Sequence, residues 1–492
     1  MSPDPDTCHA AVDSRDPRFD GVFFVGVTST GVYCRTVCPA RTPVRANRRF
    51  FRIAAEAEVA GFRPCLRCRP ELAPGHASVD RVGELVAAAV ARISAGALDS
   101  CDVTHLAATI GVSARQLRRA FAAELGVGPV ELAQSHRLGL AKRLLTDTAL
   151  PVSRVAAASG FGSVRRMNDL FRTRYRMAPG DLRRGAGQPH PADASLRLEL
   201  SYRPPYAWDH ALGFLADHLT PGVEAVIDGA YVRTARLGDA TGWLRVSPHA
   251  TRPALILELS ASLAGQALHA MRRIRCLFDL DARPDAIAAQ LSTDPMMAPR
   301  VAAIPGMRLP GAFDGFEMAV RVVLGQQVSL SGANTRCGRV AGVAGTPVET
   351  PWAARLDRVF PDARAILALP PGALPGCGIT GARVATILTL ARMVDDGTLT
   401  LGRRADMDAA LAGLLAIPGI GPWSAHAIAM RAMSYTDGFP DGDLILRRAL
   451  GPGGLRAAEA WRPWRGYAAM YLWAIRTLPE PDNSRETEGD TL

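Results

Sequence analysis

The chain has 492 residues, 48% of them hydrophobic, and nine cysteines, which excludes a small disulfide scaffold and leaves room for several cores. The net charge is +10, and all of that excess lies in residues 1–188, where 27 Lys+Arg face 17 Asp+Glu; the remainder balances at 30 against 30. The basic first part points to nucleic acid, with a solvated charged surface as the plainer reading; with no secretory signal or long apolar run, a cytoplasmic location and no membrane partner are expected.

Cys34, Cys38, Cys65 and Cys68 follow the spacing C-x3-C-x26-C-x2-C. Two close pairs separated by a loop are what a tetrahedral thiolate site needs, so one Zn²⁺ on four thiolates is expected. Arg41, Arg45, Arg48, Arg49, Arg52 and Arg63 lie between the pairs, setting the site in a run of positive charge. On spacing alone a structural zinc knuckle is the commoner use. The surrounding DPRFDGVFFVGVTSTGVYCRTVCPAR and AGFRPCLRCRP strongly resemble the N-terminal domain of the Ada family of the adaptive response to alkylation. That resemblance implies that Cys34 accepts a methyl group from a methylphosphotriester in DNA, with the other three cysteines as the remaining ligands. Zinc keeps thiols deprotonated near neutral pH, and the thiolate is the nucleophile. The Pro-Cys-His-Arg motif of the family's second methyltransferase domain does not occur.

Residues 82–95 read as a helix. DVTHLAATIGVSARQLRRAFAAEL then has the form of a helix-turn-helix: a helix over 103–108, Gly111 at the turn, Ser113 as cap, and a second helix with Arg115, Arg118 and Arg119. The pattern recurs with a helix over 152–158, Gly160-Phe161-Gly162, Ser163 as cap, and a helix with Arg165 and Arg166; residues 138–145 link the units. SGFGSVRRMNDLFRTRYRMAPGDLRR resembles the AraC-type DNA-binding domain. Two such helices can enter successive major grooves, their arginines reaching guanine edges or phosphates. A regulator of this kind also implies RNA polymerase as a partner.

Gly185-Ala-Gly-Gln-Pro-His-Pro reads as a linker. Strands are expected over 195–202, 223–237, 242–248 and 254–259, with helices over 208–219 and 264–278, giving an antiparallel α+β lobe. PYAWDHALGFLADHLTPGVEAVIDGAYVRTARLG resembles the N-terminal lobe of the AlkA-type 3-methyladenine DNA glycosylase II family.

From about 285 to 478 nearly everything reads as helix. The most informative stretch is LAIPGIGPWSAHAIAMRAMSYTDGFPDGDLILRRAL, over 415–450. Gly419 and Gly421 break one helix, Pro422 opens the next, and Asp443 would cap a helix from Leu444. Such a turn lets backbone N–H groups face a phosphate. An interaction hairpin with a plain capping aspartate is the alternative. The stretch resembles the helix–hairpin–helix DNA glycosylase superfamily, where the hairpin grips the DNA backbone and an aspartate drives cleavage of the base–sugar bond. Asp443 is the match, with Asp441 close enough to compete. The resemblance also places Trp423 and Trp473 in the substrate pocket, a third family aromatic at Ala427, and the duplex wedge at Gln327, where some relatives have leucine. It implies that an alkylated purine is flipped out of double-stranded DNA before excision. The hairpin position that carries lysine in bifunctional members is Trp423, and the sole lysine is Lys142, so no lyase step is expected. The last cysteine is Cys377, so no iron–sulfur cluster is expected.

The chain therefore reads as multidomain α+β. Its expected parts are a small zinc-bound α/β module (1–76), an all-α double helix-turn-helix domain (77–184), a linker (185–194), the antiparallel α+β lobe (195–284), an all-α helix–hairpin–helix glycosylase lobe (285–478) and a disordered tail (479–492). The expected function joins alkylation repair to its regulation. The rivals are a regulator with an inactive glycosylase lobe, and a constitutive repair enzyme tethered by its N-terminal parts.

Overall fold

A computed structural model describes residues 3–75, 83–94, 96–148, 150–185, 195–402, 407–451 and 454–474. The expected tail and all but the first residue of the expected linker lie outside these.

The first part is a four-stranded sheet of Phe24–Val27, Val32–Cys34, Arg48–Phe51 and Arg63–Pro64, flanked by helices Pro5–Ser14 and Ala54–Val59. The Val32–Cys34 strand sits between antiparallel and parallel neighbours, pairing Val25 with Cys34 and Val32 with Arg63. This register brings the first and last cysteine pairs to one end of the sheet.

Two helix-turn-helix units follow. Val103–Ala108 leads to Ala114–Leu125, and Val152–Ala158 leads to Val164–Tyr175. Ser113 and Ser163 cap the second helices through their side-chain oxygens, as the sequence predicts. Leu117, Phe121 and Leu125 on one helix, and Met167, Phe171 and Tyr175 on the other, recur at helical spacing and are buried. The connecting helix is longer than expected and runs Pro129–Asp147.

The next lobe is a five-stranded antiparallel sheet. Its spatial order is Ser195–Ser201, Ala254–Ser260, Ala240–Pro248, Ala230–Leu237 and Glu224–Ile227. The single strand expected over 223–237 is two. Asp228 and Gly229 both take positive φ, 51° and 68°, the signature of a type I′ hairpin turn. The expected helix over 264–278 opens as a 3-10 turn, Ala261–Gln266, before Ala267–Leu277. The final lobe is helical apart from a small antiparallel ladder, Thr346–Pro347 with Arg358–Val359. None of the described helices is long and apolar enough to cross a membrane.

The parts are joined by buried contacts. Met167, Phe171 and Leu182 share one apolar cluster with Leu198, Leu257 and Leu263 of the sheet lobe. Arg203 is fully buried and donates to the carbonyls of Asp20 (3.0 Å), Gly75 (2.8 Å) and Asp281 (2.9 Å). Lys142, also buried, pairs with Glu71 at 2.7 Å. Arg233 links the sheet lobe to the helical lobe through Glu317, also at 2.7 Å.

Candidate active site and metal centre

The strand Val32–Cys34 and the turn after Pro64 bring four thiols together. The sulfurs of Cys34, Cys38, Cys65 and Cys68 all lie within 4.8 Å of one another, and none is in a disulfide. Tetrahedral zinc–thiolate geometry, with Zn–S near 2.3 Å, has sulfur–sulfur edges of about 3.8 Å, so the set fits one Zn²⁺. The backbone N–H of Arg35 donates to Cys68 Sγ at 3.4 Å, and its guanidinium pairs with Asp20. Some of the arginines expected to make this region basic are committed to acceptors: Arg45 pairs with Asp13, as does Arg48, and Arg52 donates to the Glu124 carbonyl at 2.7 Å. Arg41 and Arg49 are exposed.

Arg115, Arg118 and Arg119 all lie exposed on Ala114–Leu125, opposite its buried stripe. Arg165 and Arg166 are exposed at the start of Val164–Tyr175. Both sets stand on the wet faces of the second helices.

At the hairpin, Met407–Leu415 ends and Pro422–Ala432 begins across Gly419 and Gly421. Gly419 has φ +90°, and a Cβ there would meet Thr386 Oγ1 at 2.2 Å, so both conformation and space demand glycine. Gly421 is different. Its φ is −90° and a Cβ would stand in open space, so the fold does not require glycine there. It caps a helix whose first-turn N–H groups have no partner within the helix. A bare backbone at that point leaves room for an anion to approach.

Asp443 caps Leu444–Leu450, accepting from Ile445 N (2.9 Å) and Leu446 N (3.1 Å) through Oδ1. Trp473 Nε1 donates to the same oxygen at 3.1 Å, and Trp423 Nε1 donates to Oδ2 at 3.4 Å. All three side chains are partly exposed. The competing Asp441 is exposed and lines a neighbouring cleft with His426, Glu459, Arg462 and Arg465. In that cleft burial, aided by Arg465, holds the His426 imidazole below its ordinary range.

Gln327 is exposed, in the loop between Gly315–Gly325 and Leu330–Ala344, with φ +52°. Its neighbour Gln326 donates through Nε2 to Gly419 O (2.8 Å) and Ser424 Oγ (2.9 Å). These bonds tie the expected wedge loop to the hairpin. Sequence reasoning assigns the two tryptophans as aromatic faces and misses their N–H groups on Asp443. It also misses Gln326; the one hint is that it stands beside Gln327.

Three family models match the chain: the metal binding domain of Ada over residues 7–71, a helix-turn-helix domain over 106–185, and the AlkA N-terminal domain over 197–314. The chain is 41% identical to a probable bifunctional transcriptional activator/DNA repair enzyme AlkA of Mycobacterium tuberculosis, over 98% of each chain. It is 36% identical to DNA-3-methyladenine glycosylase 2 of Escherichia coli, over 56% of this chain and 95% of the relative. A 3-methyladenine DNA-glycosylase from Archaeoglobus fulgidus shares the fold of the C-terminal half, with TM-score 0.50 and 20% identity over 57% of this chain and 99% of that one. With a relative matched end to end and each N-terminal module recognised in turn, the chain belongs to the family of Ada/AlkA-type bifunctional transcriptional activators and DNA repair enzymes.

Proposed function

We propose that the helical lobe hydrolyses the N-glycosidic bond of N3- or N7-alkylated purines in double-stranded DNA, with Asp443 as the catalytic carboxylate. The observation that carries this reading is the placement of that carboxylate. It sits partly exposed at a helix start, fixed by two helix N–H groups and two indole N–H groups beside the Gly419–Gly421 turn. The indoles of Trp423 and Trp473 attract the cationic base, and Gln327 fills the vacated stack. As the C1′–N bond breaks, the bonding electrons leave with the base and neutralise its ring. Positive charge passes to the sugar, where Asp443 stabilises it. Water adds at C1′ and its proton passes to Asp443 or solvent.

The reaction stops at an abasic site. The sole lysine, Lys142, is buried in its pair with Glu71, so no lysine amine is available for a Schiff base.

In the N-terminal module, Cys34, Cys38, Cys65 and Cys68 would hold one Zn²⁺, which would supply the charge that keeps these thiols deprotonated. Cys34 Sγ attacks the methyl carbon of a methylphosphotriester, the S–C bond forming as the C–O bond breaks and a phosphodiester leaves. With Zn²⁺ bound, the site charge would change from −2 to −1, which would weaken its repulsion of DNA. Arg115, Arg118, Arg119, Arg165 and Arg166 then hold a promoter, and activation proceeds through RNA polymerase. The module limits follow the sequence: 1–76, 77–184, 195–284 and 285–478. The experiment is mass spectrometry after incubating the full-length protein with methylated duplex. Free methylated purine, an uncut abasic strand and a methyl group on the Cys34 peptide are expected. Methyl transfer without released base favours a regulator with an inactive lobe.

A further inference from the structure

The loop that presents Gln327 is built under constraint. Gln327 is not glycine, yet its φ of +52° lies in the left-handed region, which a residue with a Cβ adopts only when its surroundings impose it. The loop is short, with Gly315–Gly325 ending just before Gln326 and Ser329 capping the next helix through its bond from Gly332 N at 3.2 Å. The Gln326 amide reaches the hairpin twice, at Gly419 O and at Ser424 Oγ, and Ser424 is itself buried. The Gln326 carbonyl accepts from the Arg383 guanidinium. Arg383 stands on Gly381–Asp395, the same helix whose Thr386 Oγ1 donates to Pro418 O at 2.8 Å. One residue is thus bonded to both sides of the Gly419–Gly421 turn, and its immediate neighbour is the exposed residue held in a left-handed conformation.

We infer that Gln326 and Arg383 are positioning residues for base extrusion. They hold Gln327 in its left-handed conformation and in register with the Gly419–Gly421 turn. Backbone gripping and filling of the vacated stack then occur as one event. The inference rests on the wedge role proposed for Gln327. The bonds of Gln326 and Arg383 go to the hairpin and to each other rather than to Asp443, so their loss is expected to act on extrusion and to leave the rate of bond cleavage in the flipped complex unchanged.

The test uses the full-length protein with Gln326→Leu, Arg383→Met, Gln327→Ala and the Gln326→Leu/Gln327→Ala double variant. The probe is a duplex carrying 1,N6-ethenoadenine, whose fluorescence rises on unstacking. Gln326→Leu removes both side-chain hydrogen bonds to the hairpin and is expected to lower the extrusion equilibrium about tenfold. Arg383→Met removes a single bond and serves as the second variant if Gln326→Leu folds poorly. Both are expected to keep thermal stability near wild type and affinity for undamaged duplex within about twofold. In the double variant, Gln326→Leu is expected to add less than about twofold to the loss from Gln327→Ala, because it acts through that residue. If Gln327→Ala suppresses extrusion while Gln326→Leu and Arg383→Met extrude as wild type, the inference fails and the wedge stands. Losses that multiply in the double variant also overturn it. If Gln327→Ala extrudes normally, the wedge reading fails and takes this inference with it.

Discussion

Asp443→Asn separates the capping role of this residue from its chemistry. Asparagine caps helices about as well as aspartate. Its single oxygen can keep the three contacts made by Oδ1, those from Ile445 N, Leu446 N and Trp473 Nε1 at 2.9–3.1 Å. The amide then replaces Oδ2, and the one conflict is donor against donor at Trp423 Nε1, where the present bond is already long at 3.4 Å. The expected change in stability is about 1 kcal/mol or less. The chemistry is affected far more. A fixed charge aimed at a developing cation in a partly dry site contributes on the order of 3–4 kcal/mol, so excision is expected to fall by about 10²–10³-fold. The assay is single-turnover release of 3-methyladenine from methylated duplex, alongside thermal unfolding of the same preparation. Asp441→Asn is the control, expected within about twofold of wild type because its side chain lines the neighbouring cleft. Excision by Asp443→Asn within about threefold of wild type would refute the electrostatic argument. A large loss in Asp441→Asn instead would place the chemistry on the wrong carboxylate.

Trp473→Phe keeps an aromatic face but removes the N–H on Asp443 Oδ1, and is expected to slow single-turnover excision by about tenfold with a smaller change in KM. An effect confined to KM would mean that the indole only stacks. Cys34→Ala is expected to abolish methyl transfer to protein, read by mass spectrometry, while excision stays within about twofold; a methyl on Cys38 in that variant would reassign the acceptor. Burial pushes the Asp279 carboxyl up to about 6 from 3.8, against the opposing pull of Arg308 and the Tyr467 hydroxyl. The folded state then holds a proton that the unfolded chain has released between about pH 4 and 6, so this group costs stability as pH rises through that window, up to about 3 kcal/mol. Asp279→Asn, which can still accept from Leu309 N and Tyr467 Oη, is expected to gain thermal stability above pH 6 and not below pH 4. A gain that does not depend on pH would contradict the linkage.

What the sequence made legible was local. Ser113, Ser163 and Asp443 each announce a helix start through a hydrogen bond spanning two or three residues, and each cap is found where composition places it. Gly419 is legible for the same reason, since the turn needs positive φ within a few residues. The cysteine spacing survives because a metal site is a local demand repeated twice. The Asp228-Gly229 turn was equally local, and reading through it joined two strands into one. What stayed hidden depends on contacts between residues far apart in the chain. The Trp473–Asp443 bond spans 30 residues, and Gln326 reaches Gly419 across 93. No periodicity carries an indole's orientation or an amide's partner. The burial of Lys142 against Glu71 is hidden in the same way, because a lysine in a basic stretch reads as solvated.

The joint between the two halves bears on whether the N-terminal modules are passive tethers. A tether needs only a flexible link, and its removal should leave the catalytic lobe intact. Here Arg203, from the sheet lobe, is buried with its guanidinium on carbonyls of Asp20 and Gly75, both N-terminal, and of Asp281. The Asp20 carboxylate in turn pairs with Arg35, the residue after Cys34, whose N–H donates to Cys68 Sγ. Asp281 accepts from Gly75 N at 2.7 Å and pairs with Arg275. Stripping Asp20 and Gly75 away removes two of the carbonyls that the Arg203 guanidinium bonds and opens its desolvated face to water. The N-terminal module is thus packed into the structure that holds the sheet lobe, and Arg203 at the centre of that joint reaches Cys34's neighbour Arg35 through Asp20.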